Sequence, residues 1–295
     1  MTTVHSETEQ GLIRADSRIP EAARKPRFTR GINLYAEGSV LVEMGNTKVL
    51  CTATVEDRVP AWLRGSGSGW VTAEYQMLPR ATKERTPREA EQGRIQGRTS
   101  EIKRLIGRAL RSVVRRDLMS ERQVIIDCDV LQADGGTRTA SVSGAMVALY
   151  DALAYMVREK MCEQIPLLDL CAAVSVGIVE GVPYLDLTYE EDSRAEVDLN
   201  VVMTGSGKIV EVQGTAEGLP FSKRELDELL GLAEWGISSI IEAQRAALGI
   251  PVPEGGGVEV SLPGRIFAYK SSLPQPPPMP SPVGGRGFLG SAPEA

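Results

Sequence analysis

The sequence predicts an α+β protein, with helices packed on a mainly antiparallel or mixed sheet. Three observations carry that reading. Over residues 38–250 the hydrophobic period switches repeatedly between that of a strand and that of a helix. Strands and helices mix without the strict β-α-β alternation of a doubly wound, Rossmann-like sheet. A hairpin followed by a long helix occurs at 38–116 and again, as a faint repeat, at 197–247.

Each element has its own signal. Residues 38–58 read as a hairpin, with Val40–Glu43 and Lys48–Val55 joined through Gly45-Asn46, a pair that suits a tight turn. Glu101–Arg115 is helical, because Ile102, Leu105, Ile106, Ala109, Leu110 and Val113 fall on one face. Gln123–Val130 alternates as a strand, and Thr139–Glu159 is a second helix rich in small residues at its start. Cys171–Val179, Tyr184–Tyr189, Val197–Met203 and Lys208–Gln213 read as strands, the last two turning at Gly205-Ser206-Gly207. The third helix, from about Lys223 to Ala247, opens on a Ser222/Glu225 capping box and stops at Gly249 and Pro251.

These elements set the domain boundaries. Residues 1–13 form a polar N-terminal extension, residues 14–250 one domain, and residues 251–295 a tail with 10 Pro and 8 Gly, expected to be disordered. Across 295 residues, 33 Lys and Arg face 39 Asp and Glu, a net charge of −6. No apolar run approaches the roughly 18 residues that a membrane span needs. The start lacks a signal-peptide core, so a cytoplasmic location without membrane partners is expected. Cys51, Cys128, Cys162 and Cys171 are dispersed, which suggests reduced thiols rather than disulfides or zinc ligands. The only histidine is His5, near the start of the chain. A histidine-based nucleophilic mechanism or metal centre is thereby excluded. Chemistry must rest on carboxylates, arginines, hydroxyls and backbone amides.

Charge is strongly segregated. Residues 80–116 hold 12 Lys and Arg against 4 Glu, a net +8, which leaves −14 for the remainder. Such a block in an acidic chain points to a local polyanion site. Arg80, Lys83, Arg85, Arg88 and Arg94 lie where there is no apolar periodicity to give them a packing purpose. On the helix that follows, Arg104, Arg108, Arg111 and Arg115 form a stripe opposite the apolar face, which reads as a solvated surface.

Two further constellations stand out. Asp134-Gly135-Gly136-Thr137-Arg138-Thr139 joins a strand to a helix. The glycines allow a sharp turn, the helix start offers unpaired amides to an anion, and Arg138 adds a fork of donors. Arg98, just ahead of the Glu101–Arg115 helix, could aim at an anion near that helix's N-terminus. Asp192 and Asp198 lie in the acidic stretch 186–198. In one straight strand they would stand about 20 Å apart, but a turn near Ser193-Arg194-Ala195 lets them converge. Two carboxylates could then hold Mg²⁺ or Mn²⁺ beside a phosphate. Gly65-Ser66-Gly67-Ser68-Gly69 resembles a phosphate loop, yet Trp70-Val71-Thr72 continues extended and no helix follows.

The segments GNTKVLCTATVEDRVPAWLRG, GWVTAEYQMLPRAT, GRTSEIKRLIGRALR, IDCDVLQADGGTRTAS, LDLTYEEDSRAEVDLNVVMTGSGKIVEVQGTAEG and LLGLAE closely resemble the ribonuclease PH family, in order from about Arg14 to Gly249. The resemblance implies a β-α-β-α fold like domain 2 of ribosomal protein S5, in a ring-forming homohexamer built as a trimer of dimers. It implies a phosphate-dependent 3′→5′ exoribonuclease acting on tRNA precursors and other RNA 3′ ends. Inorganic phosphate is then the co-substrate, and the reverse reaction adds nucleotides. Carried over by position, Gly136, Thr137 and Arg138 resemble the phosphate-binding motif, joined by Arg98. Asp192 and Asp198 resemble the catalytic, metal-holding aspartates, and Arg80, Arg85 and Arg88 the RNA-binding loop. A non-catalytic, RNA-binding subunit of an exosome-like ring is the competing reading. It would be expected to have lost these pocket residues.

Two departures from the family pattern matter. Arg14-Ala15-Asp16-Ser17-Arg18 has Ser17 where the family usually has glycine, a cost if that position needs a positive φ. The Pro-rich tail also runs beyond the usual end.

Overall fold

The structure is a computed structural model that describes residues 14–93 and 96–251; the N-terminal extension, most of the tail and Arg94 lie outside the described residues. Among the described residues, nine strands form two sheets. The first contains β1 (Pro26–Arg30), β2 (Gly38–Met44), β3 (Thr47–Glu56), β4 (Trp70–Met77) and β5 (Gln123–Gln132), in the order β1-β2-β3-β5-β4. Every pair in it is antiparallel except β4 with β5. The second contains β6 (Cys171–Val179), β7 (Val182–Leu185), β8 (Val197–Thr204) and β9 (Ile209–Ala216), in the antiparallel order β7-β6-β8-β9. The helices are α1 (Gly97–Ser112), α2 (Thr137–Arg158), the single turn α3 (Tyr189–Asp192) and α4 (Lys223–Leu248). The mixed α+β reading holds.

α2 is the centre of the molecule. It packs on β2, β3 and β5 on one side and on β6 and β8 on the other. By length and composition it could cross a membrane, contrary to the expectation that no segment could, but it lies mostly buried between the sheets. From Thr137 to Leu149 all but Arg138 are buried. Ser141 and Ser143 are buried too, and their hydroxyls donate one turn back to Thr137 O and Thr139 O at 2.8 and 3.0 Å. Fully buried Met146, Leu149, Leu153 and Met156 supply about 1.5–3 kcal/mol each by leaving water. Gln244 of α4 donates to Ser143 O at 2.9 Å and to Cys171 O at 3.0 Å, so α4, α2 and β6 share one joint.

Several boundaries differ from the expectation. α1 begins at Gly97, not Glu101, because its first turn is polar and shows no periodicity. It ends at Ser112, so Arg115 is off the helix. Arg111 is not part of a solvated stripe: its guanidinium lies 4.5 Å from the Trp70 ring centroid and donates to Val71 O at 2.9 Å. The Tyr184–Tyr189 strand stops at Leu185, since Asp186 turns the chain at φ 56° and α3 follows. The five-residue edge strand β1 was not anticipated. The segment 65–69 is a loop with no helix after it, as expected, and the four cysteines are free thiols. The Ser222/Glu225 capping box forms, and α4 closes on left-handed Gly249.

Candidate active site

The helix-initiating loop is built first. Thr47, at the start of β3, donates to Gly135 O at 2.7 Å and accepts from Asp134 N at 3.0 Å, pinning the loop to the β2–β3 turn. Gly135 and Gly136 both have positive φ, 72° and 63°. A Cβ at Gly135 would stand 2.4 Å from Leu187 O, so only glycine lets this loop touch the segment before α3. Gly136 is the N-cap of α2 and offers no side-chain cap, which leaves the first amides of a 22-residue helix for an anion. Tyr75 of β4 donates to Thr137 Oγ1 at 2.9 Å and fixes that hydroxyl. Arg138 reaches Gln213 of β9 at 3.4 Å and Glu101 of α1 at 3.7 Å.

The carboxylates come from the second sheet. α3 is a single turn closed by a Thr188/Glu191 capping box, and Asp192 is its last residue. The chain then turns through Ser193–Glu196 into β8, which leaves Asp198 near enough to Asp192 to feel its charge. Asp198 lies opposite Thr215, and Asn200 opposite Gln213, on the β8 face that meets Arg138. Burial, then the negative charge of Asp192, pushes the Asp198 carboxyl up to about 6, although Arg138 and Arg98 pull the other way. Burial also raises Asp192, against the same two arginines. Among the described residues, Asp198 Oδ1 is buried without a hydrogen-bond partner, and Oδ2 has only Asn200 Nδ2 at 3.5 Å. A buried carboxylate oxygen left unpaired is costly. A divalent cation shared with Asp192 would satisfy it, with substrate oxygens and water completing the shell in the manner usual for Mg²⁺.

Gly136, Thr137, Arg138, Arg98, Asp192 and Asp198 therefore belong to one locality. The structure does not bring Arg80 into that group: it lines a cavity of about 520 Å³ with Lys83, Ala133, Asp134, Thr188 and Glu190, which none of those six residues lines. Arg85 and Arg88 are exposed farther along the same loop, and Arg88 exerts its charge on Asp129 of β5.

Tyr75 and Gln213 escaped sequence reasoning, as did a buried cluster of Arg14, Arg18, Arg24, Asp186 and Glu191 beneath the site. Arg14 Nε donates to Glu191 Oε1 at 2.7 Å, and Arg24 Nη2 to Asp186 Oδ1 at 2.7 Å. Burial alone would raise the Glu191 carboxyl, but bonds from Arg14 and the Thr188 amide hold it down at about 2. The one signal was the Arg14–Arg18 element itself. Ser17 does occupy the left-handed region, at φ 68°, so the cost noted for replacing glycine there is real.

An uncapped helix start flanked by two arginines, facing two carboxylates across a sheet junction, is equipped to hold a tetrahedral anion and a divalent cation side by side. Fold and site thus point to a class: enzymes of phosphate chemistry, here with no histidine among the described residues. Residues 22–154 match domain 1 of the 3′ exoribonuclease family, and residues 169–235 match domain 2. A protein of Methylorubrum populi named Ribonuclease PH is 57% identical over 236 residues, covering 80% of this chain and all of that one. The Ribonuclease PH of Syntrophomonas wolfei is 55% identical over 239 residues, 81% of this chain and all of its own. The chain belongs to the ribonuclease PH branch of the 3′ exoribonuclease family. Among solved structures, an Archaeoglobus fulgidus exosome with RNA bound to the active site matches with a TM-score of 0.65 at 23% identity, over 81% of this chain and 93% of that one, a likeness of fold.

Proposed function

We infer that this protein is a phosphorolytic 3′→5′ exoribonuclease that trims the 3′ ends of tRNA precursors and other RNAs. The observation that carries the site assignment is the meeting of the uncapped α2 N-terminus with Asp192 and Asp198. Inorganic phosphate is bound by the α2 amides, the Thr137 hydroxyl, Arg138 and Arg98. Its oxygen attacks the last phosphodiester in line, the bond to the 3′ oxygen of the preceding nucleotide breaks, and a nucleoside diphosphate leaves. The proton of the attacking hydrogen phosphate balances the departing 3′ oxygen.

The arginines hold two negatively charged groups against their mutual repulsion, which is how positioning and charge neutralisation accelerate phosphoryl transfer. Asp192 and Asp198 would hold Mg²⁺ or Mn²⁺, which would supply further charge neutralisation. Arg80, Arg85 and Arg88 contact the RNA backbone upstream. Assembly is a homohexameric ring, a trimer of dimers. In support, Leu34 and Tyr35 after β1 are each 89% exposed, and Ile209 and Val212 are exposed on the edge strand β9. Such apolar surface suits burial by another subunit. The reaction is placed in the cytoplasm, where four free thiols are at home.

The test is to incubate the protein with a tRNA carrying extra 3′ nucleotides and Mg²⁺, with and without inorganic phosphate. Nucleoside diphosphates appearing only with phosphate are expected. Monophosphates would overturn the phosphate-pocket assignment, and tight binding without release would favour a non-catalytic ring subunit.

A further inference from the structure

We propose that Arg14 and Arg24 are positioning residues: a buried clamp that sets the distance between the phosphate-binding loop and the metal-holding turn. The proposal rests on the reading of the site given above. Its starting point is that the Arg14 side chain is fully buried and all five of its N–H groups are engaged. Nε and one Nη2 hydrogen go to the two oxygens of Glu191, the other Nη2 hydrogen to Asp186 O at 2.9 Å, and the Nη1 pair to Leu185 O and Ala22 O at 2.7 and 3.1 Å. Every one of these acceptors except Ala22 O lies in the segment that leads to Asp192. Glu191 is the residue immediately before it.

Arg24 makes the second connection. Its backbone N and Nε both donate to Asp186 Oδ2, at 2.7 and 2.8 Å, and Nη2 donates to Asp186 Oδ1. Its Nη1 donates to Asp134 O at 2.6 Å, in the loop that presents Gly136 and Thr137. One guanidinium therefore holds both halves of the site. Arg18 braces the same carboxylate, with Nη1 3.3 Å from Asp186 Oδ2.

A buried set of charges is a poor way to gain stability, since apolar residues of similar volume often do as well or better. What the ions add is geometry: each arginine is a rigid fork whose acceptors are fixed peptide oxygens and carboxylates. Metal ligands are sensitive to such support, and loss of outer partners typically costs about 10–100-fold in affinity or activity.

The experiment uses the full chain with Arg14→Lys, Arg24→Lys and Glu191→Gln. Lysine keeps the charge but offers only three donors from a single point. Glu191→Gln keeps a side-chain acceptor for the Thr188 amide and removes the ion pair, so it serves if a lysine variant fails to fold. Three quantities are read on folded protein: Mn²⁺ affinity by titration without RNA, kcat, and KM for phosphate. For Arg14→Lys and Glu191→Gln, Mn²⁺ affinity and kcat should each fall about 10–100-fold while KM for phosphate stays within about twofold. Arg24→Lys should also raise KM for phosphate, because of the three substituted side chains only Arg24 bonds Asp134. Folded variants with wild-type kcat and Mn²⁺ affinity would overturn the clamp and leave the pairs merely structural. A wild-type protein that releases no diphosphates would overturn the reading beneath it, and the clamp with it.

Discussion

Gly135→Ala tests whether the phosphate loop must touch the segment before α3. At φ 72°, alanine in the left-handed region costs about 1–2 kcal/mol. The added Cβ would also lie 2.4 Å from Leu187 O, 2.6 Å from Thr188 C and 2.8 Å from Tyr189 N. All three are backbone atoms, so no rotamer change relieves the clash, and overpacking adds about 1–3 kcal/mol. The sum is about 2–5 kcal/mol. Gly181→Ala is the matched reference, with φ 75° and nothing within 4 Å of the new Cβ, so it carries the backbone term alone. Urea unfolding of both variants at one protomer concentration should show Gly135→Ala less stable by about 1–3 kcal/mol than Gly181→Ala. On folded protein, Gly181→Ala should retain wild-type turnover. Gly135→Ala should lose at least about tenfold, the equivalent of about 1.4 kcal/mol in the barrier. Equal stability and equal turnover in the two variants would refute the argument that this contact aligns the site.

Four other outcomes are expected. Arg138→Ala should raise KM for phosphate about 10- to 150-fold, from the loss of about 1.5–3 kcal/mol, while RNA binding measured by filter retention changes little. Asp198 protonates at about 6 in the folded protein, above its ordinary value of 3.8. Without metal, its stabilising contribution is therefore full below pH 3.8 and is lost as pH rises through 6, whereas metal binding and turnover, which need the carboxylate, should fall below about pH 6; Asp198→Asn should abolish turnover yet leave the metal-free protein at least as stable at pH 8 in a thermal melt. Glu191 acts in the opposite sense: held at about 2, its contribution is present above its ordinary 4.5 and fades as pH drops toward 2, a window that acid unfolding of Glu191→Gln would reveal. Ending the chain after Ile250 should leave turnover unchanged, since α4 is already closed by Gly249 N to Ala246 O and Ile250 N to Arg245 O at 3.0 Å.

What was legible in the sequence was whatever is encoded locally. The β2–β3 hairpin, α2, α4 and the loop at 134–138 each carry their signal within a few residues. For Asp192 and Asp198 the sequence showed only the condition, that six residues can bring two carboxylates together through a turn and not along one strand or helix. The rest depends on distant partners. Arg14 and Glu191 are 177 positions apart, and Arg24 and Asp186 are 162 apart, so no window contains either pair. β1 has five residues, opens on proline and is recognisable only by its pairing with β2. Arg111 looked solvated because helical spacing reports direction and not what stands there, and Trp70 stands there. The strand expected through Tyr189 continues an alternating pattern that Asp186 breaks by its backbone angle, which composition does not reveal.

The helix between the two sheets has a further consequence. The two family segments, 22–154 and 169–235, read as separate domains, yet α2 belongs to the first and is covered by β6 of the second. Neither can be removed without exposing the other's apolar interior, and a single cooperative unfolding transition is the expected consequence. The proposed anion seat lies at the tip of that same helix. On the assignment proposed here, phosphate therefore adds its binding free energy to both halves at once. The cell's inorganic phosphate would then govern how long each molecule survives as well as how fast it turns over.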